Sequence, residues 1–173
     1  MGLLLIEQAF NGLQFGVMLF LIAAGLTLVF GIMDLVNLSH GSLVMVGAYL
    51  ATTLIEWTGS FILGILLALP STFLAGVAVE IVVLRTLYER DHLDQVLATF
   101  GLILFFNELI RILWGPASLY SGLPESISGH VEILPGVPYP TFRLLIILVG
   151  LMVALLIYLI VARTKLGMLI RAG

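Results

Sequence analysis

A polar segment interrupts the apolar sequence near the start of the chain. From Asp34 to Ser42 the residues are Asp-Leu-Val-Asn-Leu-Ser-His-Gly-Ser, and long apolar runs lie on both sides of them. A polar side chain inside a membrane is costly unless it faces protein or water. Polar residues at this place therefore indicate either a water-filled path or a specific protein contact.

The segment contains four polar residues besides Asp34: Asn37, Ser39, His40 and Ser42. Asn37 and Ser39 are also good helix N-caps, and Gly41 permits an irregular backbone. The pattern is typical of a broken helix, whose ends and unwound backbone line the path in transporters. From physics alone, a simple turn followed by a capped helix explains the same residues equally well.

A second group of polar residues lies in a later apolar run. Asn107, Glu108 and Arg111 fall on one helix face, and Glu108 and Arg111 have the i, i+3 spacing of an intrahelical ion pair. We expect this pair to orient the helix near a membrane interface rather than to bind a solute. Glu80 reaches the interface beside Arg85 and is assigned no chemistry.

The sequence carries no signature of an enzyme. It has no cysteine, which excludes disulfides and thiolate chemistry, and it contains neither a phosphate-binding loop nor a zinc-protease motif. His40, His92 and His130 lie far apart along the chain. We therefore predict no catalytic residue, no metal and no cofactor, and active transport would need another polypeptide to bind the nucleotide.

The elements that must carry these residues are membrane-spanning helices. The mean hydropathy is +1.23 and 10% of the residues are charged, against roughly a quarter in soluble domains. A bilayer core needs about 20 mostly apolar residues per helix, and five stretches qualify: about 13–33, 35–55, 61–84, 93–114 and 144–162. We predict an all-α, polytopic transmembrane helix bundle of about five spans, forming a single domain over residues 1–173, with a broken helix near residues 34–42.

Loop charges orient the predicted spans and exclude one class of partner. Basic residues collect on one side of this topology: Arg85, Arg90, Arg163, Lys165 and Arg171. The loops of the opposite side contain a single basic residue, Arg143. The positive-inside rule therefore places the N-terminus outside and the C-terminus in the cytoplasm. The net charge of −3 offers no basic surface, so we predict no binding of nucleic acid.

The segment 115–141 is the long outer loop of this topology. Five of the six prolines lie in it, with glycine and serine between them, so it cannot be helical throughout. We favour an extended connector lying over the bundle. The competing interpretation is a docking surface for a soluble partner, or a lid.

Four motifs, taken together, resemble one known family. The first runs from Gly25 to Ser42 and continues through Met45-Val46-Gly47-Ala48-Tyr49. The others are Ala98-Thr99-Phe100-Gly101-Leu102, Trp114-Gly115-Pro116, and the stretch from Arg163 to Ala172. In order and spacing they resemble the permeases of branched-chain amino-acid ABC transporters, and most closely the first of their two permease subunits. Urea and short-chain amide permeases share the pattern, so the substrate stays open.

The resemblance implies a role, a location and partners. The chain would be a multispanning permease subunit of an importer in the bacterial inner membrane, surrounded by lipid. Its partners would be a second permease subunit, cytoplasmic ATP-binding subunits and a periplasmic substrate-binding protein. In the family, the broken helix lies beside the translocation path, which favours Asn37, Ser39, His40 and Ser42 as path-lining groups.

Members of that family continue past the point at which this sequence stops, through a cytoplasmic helix that receives the ATP-binding subunit and through further spans. We therefore expect a truncated or split chain that is incomplete as a permease domain. The competing function is that of a non-transporting assembly or interaction protein. A membrane-embedded enzyme is less favoured, because we find no clustered intramembrane histidines or acids.

Overall fold

The computed structural model describes residues 2–33, 35–117, 119, 122–124, 127–134, 137–164 and 167. Within them lie five α-helices, a 3₁₀ turn and a two-stranded sheet. In chain order these are α1 (Gly2–Met33), α2 (His40–Thr58), α3 (Phe61–Val82), the 3₁₀ turn (Leu84–Leu87), α4 (His92–Trp114), β1 (His130–Leu134), β2 (Val137–Pro140) and α5 (Thr141–Arg163). The predicted all-α, polytopic class is confirmed.

Four helices of the described chain are long and apolar enough to cross a membrane. They are α1, over Leu4–Gly31, together with α3, α4 and α5. The chain is therefore a multi-pass membrane protein. The predicted third, fourth and fifth spans agree with α3, α4 and α5 to within three residues at each end, whereas α1 begins at Gly2, well before the predicted start.

The helix in the second predicted span differs from the other four. α2 has 19 residues, or about 28 Å. It is long enough to cross a membrane, but it is less hydrophobic than the four candidate spans. Polar residues lie in its first and last turns, and most of its side chains are at least partly buried. A helix covered by protein does not need the apolar surface that lipid demands. The five-span topology and the outward N-terminus stay predictions.

The predicted interruption between the first two helices is confirmed. α1 ends at Met33, α2 begins at His40, and residues 35–39 between them are not helical. Asp34, which the prediction includes in the break, lies outside the described residues. So does most of the basic segment after Arg163, namely residues 165–166 and 168–173.

The described chain falls into two compact units, one formed by Met1–Ile32 with Leu123–Gly173 and the other by Met33–Gly122. The prediction of one transmembrane domain over residues 1–173 stays a prediction.

In the second unit, Gly59 ends α2 with a φ of 62°, a left-handed conformation that glycine adopts without strain. The Ser60 hydroxyl then caps α3 by accepting from the Leu63 N–H at 3.4 Å.

Two glycines let α2 and α3 approach each other closely. A Cβ added at Gly64 would lie 2.6 Å from the Cα and 2.7 Å from the N of Ile55, so only glycine fits there. A Cβ added at Gly47 would lie 3.1 Å from the Cγ2 of Thr72. Small residues at helix contacts are the usual means by which membrane helices pack.

α4 completes the core of the second unit. Phe106 and Ile110 of α4 are buried with Val46 of α2, and Ala75 and Val79 of α3 pack against this cluster. The three helices therefore share one apolar core. Toward the ends of α2 and α4, the Trp114 Nε1–H donates to the Thr53 Oγ1 at 2.8 Å, and the Trp114 ring lies 5.4 Å from that of Tyr49.

The first unit contains α1, the β1–β2 hairpin and α5. Tyr139 of β2 is completely buried, and its hydroxyl donates to the Asn11 Oδ1 of α1 at 3.1 Å. The same oxygen accepts from the Arg143 Nη1 of α5 at 2.7 Å. α1 and α5 also meet at Gly150, where an added Cβ would collide with the side chain of Val17.

The hairpin lies inside the predicted outer loop and was not predicted. β1 and β2 pair antiparallel, with Val131 opposite Tyr139 and Glu132 opposite Pro138. Prolines argue against a central strand, but an edge strand accepts them because it does not need every N–H. Both strands of a two-stranded sheet are edges, so the prolines of this segment are compatible with pairing.

We expect Gly64→Ala to destabilise the chain in detergent, because the new methyl group would collide with the backbone of Ile55. Overpacking of this kind costs about 1–3 kcal/mol. Gly76→Ala, on the same helix, is the matched control, since a Cβ there meets nothing within 4 Å. Thermal unfolding followed by circular dichroism compares the two, and equal midpoints would contradict the close approach.

Candidate functional site

The four predicted path residues all lie at the break between α1 and α2, but they differ in exposure. Asn37 is 3%, Ser39 0% and Ser42 7% exposed, whereas His40 is half-buried. Between Asn37 and Ser39, Leu38 is 46% exposed. In the described chain, three of the four predicted side chains therefore face protein.

Asn37 and Ser39 form a local turn. The Oδ1 of Asn37 accepts from the backbone N–H of Ser39 at 3.0 Å and from the Ser39 hydroxyl at 2.6 Å. This is an Asx turn, in which an asparagine side chain takes the place of a backbone carbonyl. Ser39 occupies the N-cap position of α2, but its side chain accepts no capping hydrogen bond there; its hydroxyl donates to Asn37.

The backbone of the break is held by two side chains of α4. The Val36 N–H donates to the Gln95 Oε1 at 3.1 Å, and the Leu38 N–H donates to the Thr99 Oγ1 at 3.3 Å. Gln95 is 2% and Thr99 0% exposed. Non-helical backbone at membrane depth must find its partners within the protein or in a water-filled cavity. α4 supplies these two.

Gln95 also connects the break to the segment that precedes α4. Its Nε2 donates to the carbonyl oxygens of Leu87 at 3.2 Å and of Arg90 at 3.1 Å, and the His92 Nδ1 lies 3.4 Å from its Oε1. These partners determine the orientation of the amide. Val36 requires an acceptor and the two carbonyls require donors, so a flipped amide would lose all three hydrogen bonds.

The Thr99 hydroxyl both donates and accepts a hydrogen bond. The hydroxyl donates to the Gln95 carbonyl one turn earlier at 2.7 Å and accepts from Leu38. Within the described residues, no buried side-chain nitrogen or oxygen lacks a hydrogen-bond partner. The site is therefore a fully paired polar network inside an otherwise apolar unit, an arrangement that is rigid when complete and costly when one member is removed.

Gln95 was not among the predicted site residues, and Thr99 was named only as part of a family motif. A signal was available. The two are polar residues at i, i+4 spacing in a predicted span, so they share one helix face. Such a pair in a membrane helix indicates a buried polar contact, although the sequence does not identify the partner.

The other predicted polar residues lie away from the break. Arg111 and Glu108 form the expected ion pair, with 3.8 Å between Nη1 and Oε1, and both side chains are largely exposed. Glu80 accepts from the Tyr88 hydroxyl at 2.9 Å. Partial desolvation of Tyr88 and this hydrogen bond raise the pKa of its phenol above the usual value. Among the residues described, no group of three or more acidic or histidine side chains could hold a metal ion.

The sequence and the site together identify the class of protein. The family model described as branched-chain amino acid transport system, permease component, matches residues 8–173. The chain belongs to this family. No solved structure matches it.

Individual relatives carry names of the same class. The chain is similar to the high-affinity branched-chain amino acid transport system permease protein BraD of Pseudomonas aeruginosa, with 28% identity over 96% of this chain and 58% of BraD. It is 27% identical to LivH of Escherichia coli K12 over 73% of this chain and 45% of LivH. A probable branched-chain amino acid transport permease protein, LivH of Methanocaldococcus jannaschii, is 29% identical over 90% of this chain and 50% of its own length. The chain thus spans about half the length of these curated relatives.

Replacement of Thr99 tests the network. Thr99→Val keeps the shape of the side chain but removes the acceptor for the Leu38 N–H, so we expect a loss of about 1–3 kcal/mol of stability. Thr99→Ser keeps the hydroxyl and is the matched control, with a smaller loss from the missing methyl group. Thermal unfolding in detergent measures both, and a valine variant as stable as the serine variant would exclude a buried hydrogen bond at this position.

Proposed function

We propose that this chain is a permease subunit of an ABC importer for branched-chain amino acids and that it forms part of the translocation path. The observation that carries the proposal is the match to the permease family over residues 8–173. The polar break between α1 and α2 supports it. An apolar membrane helix that served only as an anchor would have no need to unwind at this point.

The break has the chemistry required for passage of an amino acid. The first N–H groups of a helix have no partner within the helix and carry a partial positive charge. Ser39 does not cap α2 with its side chain, so the start of α2 can attract a solute carboxylate. His40 lies in this first turn and is half-buried. Its ring offers a hydrogen bond that forms and breaks without a covalent step.

We assign different roles to the four path residues. In this proposal His40, which is half-buried, meets the solute first, and the exposed Leu38 lies two residues before it. Asn37, Ser39 and Ser42 are buried and would meet the solute when the break moves. The immediate contribution of Asn37 and Ser39 is to form the turn that precedes His40.

The proposed partners follow from the family match and from the need for a nucleotide-binding protein. The chain contains no nucleotide-binding motif, so uptake would be driven by cytoplasmic ATP-binding subunits. A second permease subunit would complete the path, and a periplasmic substrate-binding protein would deliver the solute. We place the assembly in a bacterial inner membrane, with the N-terminus outside. The basic loop residues, such as Arg85 and Arg90, would then lie in the cytoplasm.

The substrate is tested by uptake competition in cells that express this chain with its partner subunits. We expect unlabelled leucine, isoleucine and valine to inhibit uptake of radiolabelled leucine, and urea and short-chain amides to have no effect. Cells without the chain are the control. Uptake of urea or amides in place of leucine would assign a different solute to the same fold. The absence of chain-dependent uptake of any of these compounds would favour the non-transporting assembly protein.

The path is tested by His40→Leu in the same assembly. We expect leucine uptake to fall about tenfold, because a hydrogen bond between a charged solute and the protein is lost, while the subunits still copurify. The same change at His130, an exposed residue of β1, is the matched control and should leave uptake unchanged. Normal uptake by the His40→Leu variant would remove His40 from the path.

A further inference from the structure

One side chain joins two segments of the second unit that are far apart in sequence. The break, residues 35–39, and the inner turn, which we define as residues 84–91, both hydrogen-bond to the amide of Gln95. The acceptor of the amide serves the break, through Val36. Its donors serve the inner turn, through Leu87 and Arg90. Gln95 is almost completely buried between them.

The inner turn is also attached to α3. Leu84 is buried, the Tyr88 hydroxyl donates to Glu80 of α3 at 2.9 Å, and the Thr86 N–H donates to the carbonyl of Val83, the residue before the inner turn, at 3.2 Å. Within the inner turn, the Arg90 N–H donates to the Leu87 carbonyl at 3.1 Å. The charged side chains in and just after the inner turn are all exposed: Arg85, Glu89, Arg90, Asp91 and Asp94. A partner or ligand that bound these charges could displace the inner turn.

The break is equally dependent on α4. The Val36 N–H donates to Gln95 and the Leu38 N–H to Thr99, and the Thr99 hydroxyl also lies within hydrogen-bond distance of the Val36 carbonyl, at 3.4 Å. Because the amide group is planar and small, its nitrogen cannot follow the inner turn without moving the oxygen that holds Val36. Displacement of the inner turn would therefore move the planar Gln95 amide and, with it, the hydrogen bond to Val36 in the break.

We propose that Gln95 is a positioning residue that couples the inner turn to the break. A change in the position of residues 84–91 changes the position or the mobility of residues 35–39, and with it the surface that His40 presents. This coupling is a property of the folded chain and does not depend on which solute passes.

The test uses Gln95→Glu, which has nearly the same shape. An ionised carboxylate still accepts from the Val36 N–H, but it cannot donate to the Leu87 and Arg90 carbonyls. The direct hydrogen bond to the break is thus kept and the attachment to the inner turn is lost. Amide hydrogen exchange of the full chain in lipid nanodiscs, followed by mass spectrometry, reports on both segments.

If Gln95 couples the two segments, exchange rises in both, and that of residues 35–39 increases about tenfold relative to the wild type at the same pH. Protonation of the introduced carboxyl at acidic pH restores one donor, so the ratio of variant to wild-type exchange should fall as the pH is lowered. An increase confined to residues 84–91, with the break unchanged, would overturn the proposal.

A variant of the inner turn that leaves Gln95 unchanged keeps the test decisive if Gln95→Glu folds poorly, and unchanged exchange of residues 35–39 in that variant would overturn the coupling. Tyr88→Phe removes the hydrogen bond to Glu80 and loosens the inner turn without touching Gln95. We expect it to raise exchange of residues 35–39 by about two- to threefold in the wild-type background. In a Gln95→Leu background it should have no further effect on them. Equal effects in both backgrounds would show that the inner turn and the break do not communicate through Gln95.

Discussion

The organisation of the second unit depends on one constraint, which is that unwound backbone inside a membrane protein must find hydrogen-bond partners within the protein or in water. Between α1 and α2 the chain leaves the helix for the five residues 35–39, and several N–H and carbonyl groups lose their helical partners. Gln95 and Thr99 satisfy two of the N–H groups, and the Asn37 side chain satisfies a third. The break is therefore an ordered segment whose backbone is hydrogen-bonded to side chains of the protein.

The same constraint explains the unusual character of α2. This helix carries polar residues that would be costly against lipid, and it lies among protein surfaces on much of its circumference. Gly64 and Gly47 bring α3 close to it. α4 holds it at both ends, through Gln95 and Thr99 before its first turn and through the hydrogen bond from Trp114 to Thr53 farther along. A helix supported in this way can end in an irregular segment without loss of its position.

For a permease this arrangement separates two tasks. The buried residues Asn37 and Ser39 form the turn, whereas His40, the proposed solute contact, is half-buried at the start of α2. Gln95 adds a physical connection between this place and the exposed charges of the inner turn. Under the proposed function, the buried amide of Gln95, which bonds to both segments, would link a binding event at the inner turn to the shape of the path.

The sequence by itself determined the class of protein, most of the helix bounds, the position of the break and the family. These features follow from local patterns, because a membrane helix is defined by the length of its apolar run and a break by the polar residues that interrupt it. The tertiary structure alone decided what the break contacts. Val36 and Gln95 are 59 residues apart, and Leu38 and Thr99 are 61 apart, so no local pattern relates them. It also decided that Tyr139 of the proline-rich hairpin is buried, because its hydroxyl and its ring contact Asn11 and Phe10 of α1, which lie far away in sequence.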